Sequence, residues 1–312
     1  MKKFRNINLL LLLVVALIGC TQRSGEVDKV VITYVSAPLN VPSIIEKNGS
    51  YFEEAFKEID LGFEYSNLTT GPEQTQALAS GDVHILNSVG SPSVILSAAN
   101  GADIKILDMF ARSSEAFTLF SHDKNINSPQ DLEGKKIGGP TGTVLHELLV
   151  SYLASADMSI DDVEFVNMTI PDAMVALSNE SIDVAMLAGP AAYNAKSAGF
   201  NLVTNGEGYI NATLVVAVTQ EFYDNNPKAI ETFRKVQQNV LSFMNDNYEE
   251  MIKIVAKELD LDEVAVKEMY KQYNFSSEIT EKDIADMQRT ADFMFKHGMI
   301  EKEIDVRDLI IR

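Results

Sequence analysis

From residue 29 onward the chain alternates two kinds of apolar pattern. Short β-branched runs bounded by turn residues read as strands: "KVVITYV", "DLGFEYSNL", "DVHILNSV" and "ADIKILDMFAR". Between them "PSIIEKNGSYFEEAFKEI", "GPEQTQALASG" and "SPSVILSAANG" carry their apolar residues at helical spacing. The rhythm then repeats. In "SPQDLEG", Ser128 before Pro129 is an N-cap followed by the residue best tolerated at the first helical position. "KKIGG" is a short strand and "TVLHELLVSYLASA" a strongly amphipathic helix; "VEFVNM", "IPDAMVALSNES", "IDVAMLAG" and "PAAYNAKSAG" continue the alternation to residue 199. Such a sequence of elements predicts an α/β fold on a mostly parallel sheet. After "ATLVVAV" at 212–218 the pattern changes, and from Pro227 only helices are predicted, with turns near Asn245, Asp260 and Ser276. A helical block of this kind packs on an existing lobe.

The N-terminal end carries a different pattern. Lys2, Lys3 and Arg5 precede the apolar run "LLLLLVVALIGC" at 9–20, the charged-then-apolar order of a secretory signal. A membrane-spanning helix needs about twice that apolar length. The last four residues, "LIGC", resemble the lipobox of bacterial lipoproteins, which implies cleavage after residue 19 and diacylglycerol on Cys20. The other reading is an ordinary signal peptide with an incidental cysteine. Cys20 is the only cysteine among 312 residues, so the chain is no disulfide scaffold. Residues 20–28 lack an apolar face and read as a flexible leash.

Charge narrows the partners. The formal net charge is −19, with 26 Lys and Arg against 45 Asp and Glu. Nucleic acid is excluded, because phosphate binding is driven by Lys and Arg displacing counterions. Such a surface also repels anionic lipid, so acyl chains rather than charge must provide the membrane attachment. A chain longer than roughly 250 residues tends to divide, which predicts two lobes.

Catalytic chemistry is scarce. His84, His122, His146 and His297 are scattered, without HxxxH or HExxH spacing. There is no phosphate loop, no GxGxxG and no GxSxG elbow. Neither a metal nor a cofactor is expected, and pairs such as Glu53 with Glu54 and Asp161 with Asp162 read as solvated faces. More informative are the loops leaving the strands, because ligands of open α/β sheets sit at the strands' C-terminal ends. Four qualify: residues 36–40 with Ala37, Pro38, Leu39 and Asn40; 88–92 with Ser88, Val89, Gly90 and Ser91; 138–147 with Thr141, Gly142 and Thr143; and 187–190 with Gly189. Small residues before a helix leave backbone N–H groups free for an anionic or polar group without any lysine. They are also ordinary N-caps.

Taken together, "YVSAPLNVPSIIEKNGSYFEEAFKE", "TTGPEQTQALASGDVHILNSVGSPSVILSAANGADIKIL", "SPQDLEGKKIGGPTGTVLHELLVSYLASADMSIDDVEFVNM" and "DAMVALSNESIDVAMLAGPAA" resemble the extracytoplasmic solute-binding proteins of nitrate-, sulfonate- and taurine-type ABC importers, a group that includes thiamine-precursor binders. The resemblance runs from about residue 29 to 240. It implies a type II periplasmic-binding-protein fold of two α/β lobes, 29–112 with 212–312 and 113–211, joined by crossovers near 110–117 and 209–215. It implies a small organic or anionic solute held between the lobes, a permease and its ATPase as partners, an extracytoplasmic, lipid-anchored monomer and no enzymatic activity. Arg112 with Ser113 at one crossover and Asn211 at the other are candidate solute contacts, the arginine as a bidentate partner of an anion. Where many relatives carry an aromatic-acidic pair before the proline of the fourth loop, this chain has Ala188-Gly189-Pro190, and it has no tryptophan. That favours a pocket of small polar groups, backbone amides and tyrosine. Two other readings stay open: a sensing lipoprotein that reports to a receptor, and a pyrimidine-synthesis-type enzyme on the same scaffold.

Overall fold

The computed structural model describes residues 25–35 and 38–311. The signal segment, Cys20 and Ala37 lie outside those residues. The chain opens with β1 (Lys29–Tyr34), α1 (Val41–Asn48), α2 (Tyr51–Lys57), β2 (Gly62–Asn67), α3 (Gly71–Ser80), β3 (Leu86–Gly90), α4 (Ser91–Ala99) and β4 (Lys105–Arg112). It continues with β5 (Phe117–Ser121), β6 (Lys136–Gly139), α5 (Val144–Ala154), β7 (Glu164–Asn167), α6 (Ile170–Ser178), β8 (Val184–Ala188), α7 (Gly189–Ser197) and β9 (Asn201–Asn205). Last come β10 (Thr213–Val218), α8 (Gln220–Asn225), α9 (Pro227–Asp246), α10 (Tyr248–Leu259), α11 (Glu263–Tyr270), β11 (Asn274–Phe275) and α12 (Glu281–Lys296).

These strands build two sheets with one plan. β1 and β2 pair in parallel, and the backbone bonds Thr33 N–H to Ile85 O (3.0 Å) and His84 N–H to Val31 O (2.9 Å) join them to a four-stranded sheet ordered β11-β4-β10-β3. The second sheet runs β7-β6-β8-β5-β9. Apart from the short β11, which runs against β4, each sheet has one strand set against the direction of the rest: β10 between β3 and β4, β5 between β8 and β9. Those are the strands that enter from the other sheet. The chain crosses once between Arg112 and Phe117 and returns between Asn205 and Thr213, and Ser113 N–H donates to Ala212 O (3.2 Å) where the two crossings meet.

Successive residues of a strand point to opposite faces, and β1 divides accordingly. Val30 and Ile32 join a core with α1, α2, α9 and α10, while Val31 joins another with α3, α4 and α12. Buried on both faces, β1 reads as a continuous apolar run, as parallel strands do. The larger core extends through Leu119, Leu148 and Val184 into the second sheet.

Four details depart from the sequence pattern. The stretch read as one helix after β1 is two, because Ser50 sits in the left-handed region (φ 51°) and breaks the hydrogen-bond ladder. "SPQDLEG" forms only a short 3-10 turn at Pro129–Leu132. β5 and β9 have no counterpart in the alternation read from sequence. The C-terminal block is not purely helical: β11 extends the first sheet beside β4, and Ile310 bridges to Ile106.

Candidate functional site

The strands of both sheets end facing one another, and a cavity of about 260 Å³ lies between those ends. That is close to the lower end of known ligand pockets, roughly 300 Å³. Four helix N-termini border it. Thr70 caps α3 and Thr169 caps α6, each accepting from a backbone N–H of the first turn (Glu73 and Asp172, 3.4 and 3.3 Å). At α4 and α5 the cap positions are Gly90 and Thr143, and neither supplies a side-chain cap. The Thr143 hydroxyl donates instead to Pro140 O (2.9 Å). The first N–H groups of a helix have no intrahelical partner, so α4 and α5 present unanswered donors, backed by their dipoles, to the cavity.

The walls are apolar and small polar. Val35, Phe117, Leu145, Ile170 and Leu214 supply apolar surface, and Ser88, Ser93, Gln74 and four threonines the polar side chains. Ser88 holds φ 75° and donates to Asn40 Oδ1 (3.0 Å), whose own Nδ2 donates to Val35 O (2.6 Å). A serine in the left-handed region costs about 1–3 kcal/mol and persists only where its surroundings enforce it. Behind Gln74 runs a buried network. Asn87 N–H donates to Thr33 Oγ1 (2.8 Å), which donates to Gln74 Oε1 (3.3 Å), while the Asn87 amide donates to Glu46 Oε2 (2.9 Å). Burial pushes the Glu46 carboxyl up to about 8, against the hydrogen bonds from Asn87 and Gln237 that favour its ionised form.

The two halves touch. Ser93 Oγ of α4 donates to Gly142 O (2.7 Å), and Thr290 Oγ1 of α12 donates to Glu147 Oε1 of α5 (2.8 Å). Lys196 of α7 pairs with Glu268 of α11. At Gly189 (φ 57°) an added Cβ would lie 3.0 Å from Pro38 Cα and Leu39 N, so glycine alone lets α7 begin against that backbone. At Gly90 a Cβ would lie 2.9 Å from Val144 Cγ2.

Of the sequence candidates, Pro38, Ser88, Gly90 and Thr143 line this cavity. Gly142 borders it through the contact with Ser93. Thr141 is exposed, its N–H held by Asn167 Oδ1 (2.9 Å). Leu39 and Val89 are core residues, Asn40 supports Ser88 from a buried position, and Gly189 lines a separate 120 Å³ pocket beside α7. Arg112, Ser113 and Asn211 are placed elsewhere, on a groove of about 700 Å³ along α12. The Arg112 guanidinium is occupied: it donates to both carboxylate oxygens of Asp283 (2.6 Å each) and to Glu278 O (2.9 Å). Burial alone would raise the Asp283 carboxyl, but hydrogen bonds from Arg112 and Thr280 hold it down to about 2. Arg112 therefore fastens α12 to the end of β4. Asn211 Nδ2 reaches Asp286 O (3.4 Å), and Ser113 Oγ is buried without a partner.

Sequence reasoning missed the lip of the cavity: Thr69, Thr70 and Gly71 after β2, and Thr169, Ile170 and Pro171 after β7. A signal was present. Both helices open with Thr, any residue, Pro and an acid, as "TGPE" at 70–73 and "TIPD" at 169–172, the same cap in each half. Gln74 and Phe117 carried no such signal. None of the four histidines lines the cavity; burial lowers the pKa of His84 and of His146. Among the described residues no group of three or more His, Cys, Asp or Glu could hold a metal ion.

With this geometry in place, comparison with known proteins is informative. The profile of the family described as "NMT1/THI5 like" matches residues 40–251. The chain belongs to that family. It is 26% identical over 273 residues to a candidate aliphatic sulfonates-binding protein of Bacillus subtilis (strain 168), which covers 86% of this chain and 82% of that protein. It is 30% identical over 185 residues to the taurine-binding periplasmic protein of Escherichia coli (strain K12), 57% of this chain and 56% of that one. The fold is that of periplasmic binding proteins. The alkanesulfonate-binding protein SsuA from Xanthomonas axonopodis pv. citri, solved with MOPS bound, superposes with a TM-score of 0.83 at 19% identity over 92% of this chain and 99% of that chain.

Proposed function

We propose that the protein is the solute-capturing component of an ABC-type importer. A small anionic solute, a sulfonate by preference, occupies the 260 Å³ cavity, and the halves 29–112 with 212–312 and 113–211 are lobes that close over it. The observation that carries this reading is the pair of uncapped helix N-termini, α4 from one half and α5 from the other, meeting at one cavity. An anion between them bonds both halves at once, so it stabilises the closed form by its differential affinity. The apolar walls suit an organic tail, and the names of the relatives point to the same class of ligand.

The closed form is what a membrane permease with its ATPase would recognise. Cys20, carrying diacylglycerol, would hold the monomer at the outer face of the cytoplasmic membrane, where tethering raises the effective concentration of the encounter. No chemistry is asked of the cleft.

Thermal unfolding of purified protein, freed of carried-over ligand, tests this against nitrate, taurine, alkyl and aryl sulfonates and pyrimidine precursors. A ligand at a hundred times its dissociation constant adds about 2.7 kcal/mol, a rise of several degrees for a chain of this size. The expected result is a shift with sulfonates. A shift only with pyrimidine precursors, or none with any anion, overturns the assignment.

A further inference from the structure

Among the described residues, the solute cavity offers for charge only the N-terminal ends of its helices. None of the described side chains that line it is ionisable. The two uncapped helix N-termini can hold one anionic group, but the described lining has only neutral hydroxyl and amide oxygens, and no carboxylate, to set against a cation. The acids of the neighbouring first turns, Glu73 and Asp172, are exposed and occupied at their own helix ends: Glu73 accepts from Thr70 N–H (3.1 Å), Asp172 from Thr169 Oγ1 (2.7 Å).

Gln74 sharpens the point. It is 3% exposed and lines the cavity. Thr33 Oγ1 accepts from Asn87 N–H and donates its own proton to Gln74 Oε1 (3.3 Å). That bond turns the other end of the carboxamide, the NH2, away from Thr33, and among the described residues this group has no partner. A buried donor at a cavity wall calls for an acceptor on the ligand, and in an alkyl sulfonate only the sulfonate oxygens supply one. An ammonium is donor-only; beside this group it would meet another donor, and with no carboxylate in the described lining its charge stays unpaired.

We propose, resting on the solute-capture reading above, that this cavity takes a sulfonate whose other end is an uncharged alkyl or aryl group and rejects amino sulfonates, with Gln74, neutral where a carboxylate would pair the ammonium, setting the distinction. The relatives named for aliphatic sulfonates and for taurine thus mark two alternatives between which the lining residues choose.

A matched pair of ligands decides. Taurine and 1-propanesulfonate differ by an ammonium in place of a methyl, and both are titrated calorimetrically into the purified protein. The expected result is that 1-propanesulfonate binds at least about 100-fold more tightly. Gln74→Glu, nearly isosteric, puts a carboxylate at the same place and is expected to close that gap at least about tenfold, by strengthening taurine and weakening 1-propanesulfonate. Taurine binding as tightly as 1-propanesulfonate to the unaltered protein overturns the inference and leaves sulfonate capture standing. Silence from both, extended to longer alkyl and aryl sulfonates, overturns the capture reading itself. Should Gln74→Glu fail to fold, the unaltered protein with the two ligands still decides.

Discussion

Arg112 donates to three oxygens at once, two of Asp283 and one of Glu278, and all lie in or just before α12. The Asp283 side chain is 2% exposed, so removing the guanidinium strands a carboxylate whose other donors are the N–H and hydroxyl of Thr280. Breaking a buried pair of this kind costs roughly 3–5 kcal/mol. Arg112→Ala is therefore expected to lower the unfolding midpoint by many degrees while leaving sulfonate affinity within about twofold, because the arginine lies outside the cavity. A loss of affinity with unchanged stability would return Arg112 to the ligand. Sequence alone could not assign it. An arginine at a crossover between two lobes has the same appearance whether its partner is a solute or an aspartate 171 residues further on, and only the packing of α12 settles which. Gln74 is the reverse case, a residue unremarkable in its helix until Thr33 and the cavity fix the two ends of its amide.

At the scale of elements, the helices fall into two groups by their first turns. α3 and α6 are closed by Thr-x-Pro-acid caps, whereas α4 and α5 are left open toward the cavity. The two groups should respond oppositely to substitution. Thr70→Ala or Thr169→Ala removes a cap and is expected to cost about 1 kcal/mol of stability, with little change in sulfonate affinity. Val144→Pro at the first position of α5 removes one open N–H where proline is tolerated, and Thr143 before it already has the extended backbone that proline demands (φ −120°, ψ 175°). That variant is expected to keep its stability to within about 2 kcal/mol and to lose at least tenfold in affinity. Chemical denaturation paired with ligand titration reads both quantities on each variant. Most of the elements were legible, because buried parallel strands and amphipathic helices each leave a period in the sequence. β5 and β9 were not, since "FTLFS" and "NLVTN" are short and gain their strand character from pairing with strands far along the chain.

For the whole molecule, the telling contact is between Glu147 of α5 and Thr290 of α12, which belong to opposite halves. Burial pushes the Glu147 carboxyl up to about 7, offset only in part by the Thr290 hydrogen bond. The charged groups that line the same groove are Lys282, Asp286 and Arg289 of α12, with Arg112, Glu115 and Lys271 nearby. Lys282 and Arg289 are both paired with Asp286, so neither is free to neutralise Glu147. On the lobe-closure reading, opening returns this carboxyl to water and its pKa toward an ordinary ~4.3. The closed form then holds a proton that the open form releases between about pH 4.3 and 7, so closure takes up a proton across that window. Because the raised pKa belongs to the closed state, closure and solute affinity are greatest at low pH, fall as pH rises through the window, and level off above about 7. The limiting slope is about tenfold in dissociation constant per pH unit. A sulfonate does not titrate there, so the dependence belongs to the protein. Titrations of 1-propanesulfonate between pH 5 and 8 are expected to show this decline, and Glu147→Gln, neutral throughout, is expected to flatten it while retaining the Thr290 contact. An unchanged slope in Glu147→Gln would mean that α5 and α12 stay together when the solute leaves, and the movement would then have to lie elsewhere than between these two helices.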